Sequence, residues 1–295
     1  MTFDFSLIPN ATLFIMMLAL GMGLRAEDFL HLSKKPVAVA AGLFGQFFLL
    51  PTCALIVILL FNLPAYIAVG FLLIAACPGG AVSNMFTRYA HGDVALSVSL
   101  TAFSSVISPL SVPLILGLSL SYWQLELRTI QLSFSSMFIT LLLTTALPIF
   151  MGMIWRYLAT NSAIKWSGRL LAASTTILMI LIIGLGIGTA KSQVNFHTMF
   201  SLVLPAACAF LAMLVLSLWT TCKTLKLSHA SNRSVLIETV IQNINLSLLV
   251  VMSFLEEPRY LAPTLIYLPL MLLFASGVIL FQKAQRLSSR AGEAP

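Results

Sequence analysis

Nine long apolar runs divide the chain, and the short stretches between them hold nearly all of its charge. About 20 consecutive apolar residues cross a hydrocarbon core as a helix. On that ruler, helical spans are predicted at about 6–25, 37–60, 65–90, 94–121, 131–156, 166–190, 198–221, 233–254 and 261–282. Two of the nine are interrupted. The third contains Cys77-Pro78-Gly79-Gly80-Ala81-Val82-Ser83-Asn84. Its proline and glycines free backbone groups at mid-membrane, which is tolerated only where protein or a cavity satisfies them. The eighth contains Glu238-Thr239-Val240-Ile241-Gln242-Asn243-Ile244-Asn245, a polar stretch inside an otherwise apolar run. The bland alternatives are a proline kink in the third span and a polar helix–helix seam in the eighth.

Composition fixes the class. Of 295 residues, 59% are hydrophobic and 8% charged, and the mean hydropathy is +1.01. A soluble domain carries about 25% charged residues, so this chain is read as an all-α polytopic membrane protein. Soluble enzymes, nucleic-acid binders and disordered scaffolds are thereby excluded. The net charge of +7 is accounted for by topology. With the N-terminus outside, the inner loops and the C-terminal tail collect Arg25, Lys34, Lys35, Arg88, Arg156, Lys165, Arg169, Lys223, Lys226, Arg233, Lys283, Arg286 and Arg290. The outer side keeps Arg128, Lys191 and Arg259, as the positive-inside rule requires. One span more or fewer would scramble this division. Trp123, Trp155, Trp166 and Trp219 fall at span ends, where amphipathic rings belong. Cys53, Cys77, Cys208 and Cys222 show no CxxC spacing and are read as inert thiols. The first run lacks a basic lead-in and is read as a retained span. The expected location is the inner (plasma) membrane of a bacterium, with the C-terminus cytoplasmic.

Among the acidic residues, Asp4, Glu126, Glu256 and Glu257 fall on the outer side, and Glu27, Asp28, Asp93 and Glu293 on the inner side. Glu238 alone lies well inside a span, where a carboxylate costs at least ~2.5 kcal/mol unless paired, hydrated or bound to an ion. A protonated Glu238 held between helices is the structural alternative. At 1.5 Å per residue, Ser83 and Asn84 lie about 10 Å from the inner end of their span. Glu238 lies about 8 Å from its own end, and Ser97 and Thr101 about 5–11 Å from theirs. Gln46 and Gln242 share a layer at about 14 Å. Oxygen ligands with one negative charge at a single level suit a hard monovalent cation. A second cation fits between Gln46, Gln242, the Glu238 carboxylate and carbonyls freed near Thr239 and Ile241.

The broken spans run in opposite directions, the third inward and the eighth outward. If residues 126–295 form a five-helix repeat, residues 1–125 form its inverted counterpart without the opening helix. Interrupted helices at matching places in inverted halves point to a secondary transporter.

Three segments together resemble the bile acid:sodium symporter family: Pro78-Gly79-Gly80 followed by Ser83-Asn84, Gly92-Asp93-Val94-Ala95-Leu96-Ser97 with Thr101, and Glu238 with Gln242-Asn243. The resemblance extends over nearly the whole chain. It implies a core domain with two unwound, crossing helices beside a flatter panel domain, in a nine-helix form. It further implies one sodium site from Ser83, Asn84, Ser97, Thr101 and Glu238. A second would use Gln46, Glu238, Thr239, Ile241 and Gln242, with Thr239 and Ile241 contributing carbonyls. Asn243 would face the substrate beside the crossover, and Gly80, Ala81 and Asn245 are this chain's further candidate substrate contacts. Val240 stands where the family usually has Gly, and Ile244-Asn245 where bacterial relatives often have Ser-Gly. Leu270, Met271 and Leu272 make the last span apolar where some relatives are polar.

The expected function is therefore sodium-coupled symport of an organic acid, bile acid-like, pantoate or keto acid, by alternating access. The coupling ions are two sodium ions; no other cofactor, no nucleic acid and no obligate protein partner is expected. A half-helix beginning near Ala81 offers N–H groups to a carboxylate, and no deep arginine is present to clamp a dianion, so a monoanion is preferred. Proton coupling through Glu238 and a cation channel remain alternatives. An embedded enzyme would need a nucleophile, base or metal set at depth. His31, His91, His197 and His229 all fall in loops or at span ends.

Overall fold

The computed structural model describes residues 7–25, 27, 34–123, 134–190 and 198–292. The calls made above on Asp4, Asp28, His31, Glu126, Arg128, Lys191, His197 and Glu293 lie outside these residues. A bilayer offers no hydrogen-bond partners to the backbone, so a chain of this composition must satisfy each polar group within helices. Helices α1 (Leu7–Gly23), α2 (Pro36–Leu60), α3 (Ala65–Ala76), α4 (Ser83–Tyr89) and α5 (Val94–Tyr122) make the first half. Helices α6 (Phe134–Leu158), α7 (Thr160–Ala190), α8 (Met199–Thr224), α9 (His229–Val240), α10 (Ile244–Leu255) and α11 (Ala262–Gly292) make the second.

Five unbroken stretches are long and apolar enough to cross a bilayer: Pro36–Leu60, Val94–Tyr122, Phe134–Leu158, Met199–Thr224 and Pro258–Gln285. The remaining predicted spans correspond to α1, to α7 and to the pairs α3/α4 and α9/α10. The span over 65–90, expected to be interrupted at Cys77–Asn84, is indeed two short helices, separated by backbone that leaves the helix at Cys77 with φ −64° and ψ 145°. The sixth span starts earlier than predicted. Lys165, Trp166 and Arg169 lie inside α7, and Ala159 alone separates it from α6.

Helices α1, α6 and α7 contact one another and form the panel; the core contains α2–α5 and α8–α11, and the two meet where α6 packs on α5 and α1 on α10. The panel helices α1 and α6 meet where both backbones are bare. A methyl group on Gly21 would strike the Ile149 carbonyl, and one on Gly152 would strike the backbone of Leu18 and Met22. Close approach of backbones through small residues is how helices gain contact in lipid, where apolar burial supplies no driving force. In the core, α3 is buried from Ile67 to Ala76 and the first turns of α10 from Ile244 to Val250. The longer helices wrap these segments and turn Leu59, Leu60, Leu118 and Leu280 outward.

Three helices contain a wide π turn immediately before a Leu-Pro pair: Gly45–Leu49 before Leu50-Pro51, Leu142–Ala146 before Leu147-Pro148, and Met199–Val203 before Leu204-Pro205. Proline lacks an N–H and crowds the carbonyl four residues back; the widened turn absorbs that conflict while the helix continues. Gln46 sits in the first of these turns, buried against the core.

Candidate functional site

The extended residues between α3 and α4 cross those between α9 and α10 in antiparallel sense. Gly80 N–H donates to the Ile241 carbonyl at 2.8 Å, and Asn243 N–H donates to the Pro78 carbonyl at 2.9 Å. Gly79 and Gln242 thus form an isolated bridge. Backbone groups freed by both helix breaks satisfy each other, as a low-dielectric interior demands. Glycine is required here for space and not for conformation, since among the described residues no glycine has positive φ. A methyl on Gly79 would fall on the Glu238 carboxylate, and one on Gly80 would lie 3.0 Å from the Gln242 carbonyl oxygen.

Glu238, in the last turn of α9, lies beside this crossing and is 3% exposed. Its Oε2 accepts hydrogen bonds from Ser83 Oγ at 2.5 Å and Ser97 Oγ at 2.7 Å; its Oε1 accepts from Thr101 Oγ1 at 2.5 Å. These donors come from α4 and α5, so one carboxylate ties three helices together. Thr87 Oγ1 donates to Ser97 Oγ at 3.2 Å, adding a hydroxyl that sequence reasoning missed. The ion pairs between described residues, Lys35–Asp93 and Arg259–Glu257, do not involve Glu238. A buried carboxylate without a basic partner is costly unless a proton or cation joins it. Among the described residues no cluster of three His, Cys, Asp or Glu side chains suits a transition metal; hydroxyl, amide and carboxylate oxygens are ligands for a hard ion.

Asn84 does not reach Glu238. Its Nδ2 donates to the Ala81 carbonyl at 3.3 Å, while its buried Oδ1 has no partner. Of the predicted second cluster, Gln46, Gln242 and the Thr239 carbonyl are joined by hydrogen bonds. Gln46 Nε2 donates to the Cys77 carbonyl at 2.6 Å and to Gln242 Oε1 at 3.3 Å; Gln242 Nε2 donates to the Thr239 carbonyl at 2.5 Å. Thr239 Oγ1 is buried without a partner, packed with Leu218 against the bare side of Gly45. The Ile241 carbonyl, predicted as an ion ligand, is engaged with Gly80 N–H.

A cavity of about 60 Å³ lies against the crossing, between core and panel. Gly80, Ala81, Asn243 and Asn245 all line it, together with Met16 of α1 and Thr175, Leu178 and Met179 of α7, which sequence reasoning did not single out. Helix α4 begins at Ser83, two residues later than expected, so Ala81 lies in a turn. Asn243 caps α10: its Oδ1 accepts from Leu246 N–H at 3.1 Å. Tyr267, fully buried on α11, donates to the Val240 carbonyl at 2.9 Å and supports the end of α9.

Below the Glu238 cluster, one turn before Ser97, Asp93 caps α5 through Leu96 N–H at 3.2 Å. Its own N–H donates to Ser234 Oγ at 2.6 Å, and its carboxylate pairs with Lys35.

Residues 11–196 match the model of the sodium bile acid symporter family, which is well over half of the chain. The chain belongs to that family. The match takes in Gln46, the broken α3/α4 pair and the α5 hydroxyls; Glu238 lies beyond it. The chain is 29% identical over 239 residues to a sodium-dependent transporter of Bacillus subtilis, YocS, covering 78% of this chain and 68% of that one. It is 27% identical over 245 residues to the sodium-dependent organic anion transporter of Bos taurus, covering 81% and 64%. It is 26% identical over 279 residues to the probable sodium/metabolite cotransporter BASS2, chloroplastic, of Oryza sativa, covering 92% and 63%. The chain therefore spans about two thirds of the length of these relatives. The family is one of membrane transporters, and the chain is an integral membrane protein of that kind.

Proposed function

We propose that the chain is a sodium-coupled symporter of a monoanionic organic acid that works by alternating access. One observation carries the reading: Glu238 is buried among hydroxyls from α4 and α5 with none of the described ion pairs reaching it, directly beside a crossing of two broken helices. The family membership and the sodium-dependent relatives support it. The first ion is held by Glu238, Ser83, Ser97 and Thr101, with Asn84 Oδ1 turning in. Loading the second ion requires Gln46 and Gln242 to exchange their mutual hydrogen bond for the cation, beside the Thr239 and Ile241 carbonyls. The two ions fix the ends of α4 and α9 where the backbones cross. That crossing in turn fixes the amide of Asn243 and the backbone of Gly80 and Ala81 for the substrate. Movement of the panel against the core then exposes the cavity to alternate sides.

The repeat organisation belongs to the same proposal. Residues 1–125 and 126–295 are inverted copies, and the π turn before Leu50-Pro51 in α2 has its counterpart before Leu204-Pro205 in α8. The N-terminus lies outside and the C-terminus in the cytoplasm, in the plasma membrane of a bacterium.

The test is uptake of labelled pantoate and taurocholate into proteoliposomes with and without an inward sodium gradient, for the native chain and Glu238→Gln. The expected result is sodium-driven accumulation of one solute, reduced at least about tenfold by the substitution. Accumulation driven by a proton gradient and indifferent to sodium would overturn the sodium assignment in favour of proton coupling.

A further inference from the structure

Asn245 is the second residue of α10, is 0% exposed, and lines the cavity at the crossing. Both its Oδ1 and its Nδ2 lack a hydrogen-bond partner. Buried amides are nearly always satisfied, and leaving one unpaired at both ends is among the costlier defects a folded chain can carry. The apolar walls contributed by Met16, Leu268, Met271 and Leu272 offer nothing to it. The neighbouring Asn243 is different in kind. Its Oδ1 already accepts from Leu246 N–H, and Nδ2 is the atom left without a partner to serve a ligand.

The two amides therefore make different demands. Asn243 presents a donor, which any carboxylate oxygen satisfies. Asn245 presents a donor and an acceptor together, and its Oδ1 requires a ligand group that carries hydrogen. A carboxylate cannot provide that, nor can a keto oxygen, nor an alkyl chain. A hydroxyl group can, accepting from Nδ2 while donating to Oδ1. Resting on the transport reading above, we propose that Asn245 selects organic acids with a hydroxyl group on the carbon next to the carboxylate: the carboxylate on Asn243 Nδ2, the hydroxyl on Asn245, and the apolar remainder against Met271 and Leu272. A site built to pair a hydroxyl discriminates strongly against an analogue without one, because its own polar atoms are then left buried and unpaired.

The experiment compares three acids of one carbon skeleton: α-hydroxyisovalerate, α-ketoisovalerate and isovalerate. Binding to the full-length purified chain is measured in saturating sodium by isothermal titration and by competition in proteoliposome uptake, for the native chain, Asn245→Leu and Asn245→Ala. The hydroxy acid is expected to bind the native chain about tenfold or more tightly than isovalerate, with the keto acid between them. Asn245→Leu keeps the size of the side chain and removes both polar atoms; it should bring all three affinities within about twofold of one another. Asn245→Ala gives the same readout should the leucine disturb packing, and retained stabilisation by sodium shows that each variant is folded. Equal binding of the three acids by the native chain, or an order of preference that survives both substitutions, overturns the inference while leaving sodium-coupled transport intact. Sodium-dependent binding of none of the three overturns the assigned substrate class. Loss of the sodium response itself in the native chain overturns the transport reading instead.

Discussion

Gly79→Ala is the smallest change that tests the ion site through its geometry. The added carbon would lie 2.1 Å from Glu238 Oε1, 2.9 Å from Cδ and 3.3 Å from the Glu238 carbonyl oxygen. Carbon needs about 3.5 Å from such atoms, so the carboxylate must move by more than an ångström. Oε1 then leaves Thr101 Oγ1, now at 2.5 Å. One hydrogen bond to a charged group is worth about 1.5–3 kcal/mol, and forcing an extra carbon into a packed site costs about 1–3 kcal/mol. Taken at the low ends, about 2.5 kcal/mol corresponds to a loss of sodium affinity of roughly sixtyfold. The assay is thermal unfolding of the purified chain titrated with sodium, which yields the half-saturating concentration. Gly117→Ala is the control: no atom would lie within 4 Å of its added carbon, and alanine favours a helix by about 0.5–1 kcal/mol. Thr101→Val removes the Oε1 partner while preserving shape, and should weaken sodium binding at least about tenfold. A Gly79→Ala chain that folds and retains native sodium affinity within about twofold would refute the placement of Glu238 against the crossing.

Further expectations follow from single contacts. Tyr267→Phe removes the hydrogen bond to the Val240 carbonyl and should lower stability by about 1 kcal/mol in denaturant melts, with sodium affinity nearly unchanged; a large loss of sodium affinity instead would place Tyr267 in the ion site. Gly152→Val drives a side chain into the backbone of Leu18 and Met22, which cannot yield, so about 3 kcal/mol or more of stability should be lost. Size-exclusion profiles and melts of Gly168→Ala, where the added carbon meets nothing within 4 Å, provide the comparison. Lys35→Gln removes a pair whose lysine is 52% exposed and should cost less than about 1 kcal/mol, a loss that disappears in high salt. Asp93→Ala additionally loses the cap on Leu96 N–H and should cost about 1 kcal/mol more, independent of salt.

The readable part of the site consisted of residues whose presence in lipid needs a reason. Glu238, Gln46, Gln242 and the Pro78-Gly79-Gly80 break stood out because the surrounding sequence is apolar, and depth counted along each helix placed Gln46 and Gln242 at one level, where they do share a hydrogen bond. Thr87 and Tyr267 gave no such signal. A threonine near a helix end and a tyrosine in an apolar run are ordinary, and their roles appear only when Ser97 and Val240 are found opposite them. The panel residues of the cavity were silent for the same reason: Met16, Leu178 and Met179 are what any lipid-facing helix carries. Three of the four π turns among the described residues were legible in retrospect, since they immediately precede a Leu-Pro pair.

By itself the sequence determined the apolar surroundings of this protein and the two places where helices must break. Those properties are set by local costs: charge in hydrocarbon and proline in a helix. Only the tertiary structure decided which break meets which. Glu238 finds its hydroxyl partners 137 to 155 residues away, and the freed carbonyls of Pro78 and Ile241 are taken by N–H groups from the opposite half. Each of these groups needs a partner, but many could serve. Which one does is settled by how closely the backbones approach, and at the crossing that distance is set by the absence of a side chain at Gly79 and Gly80.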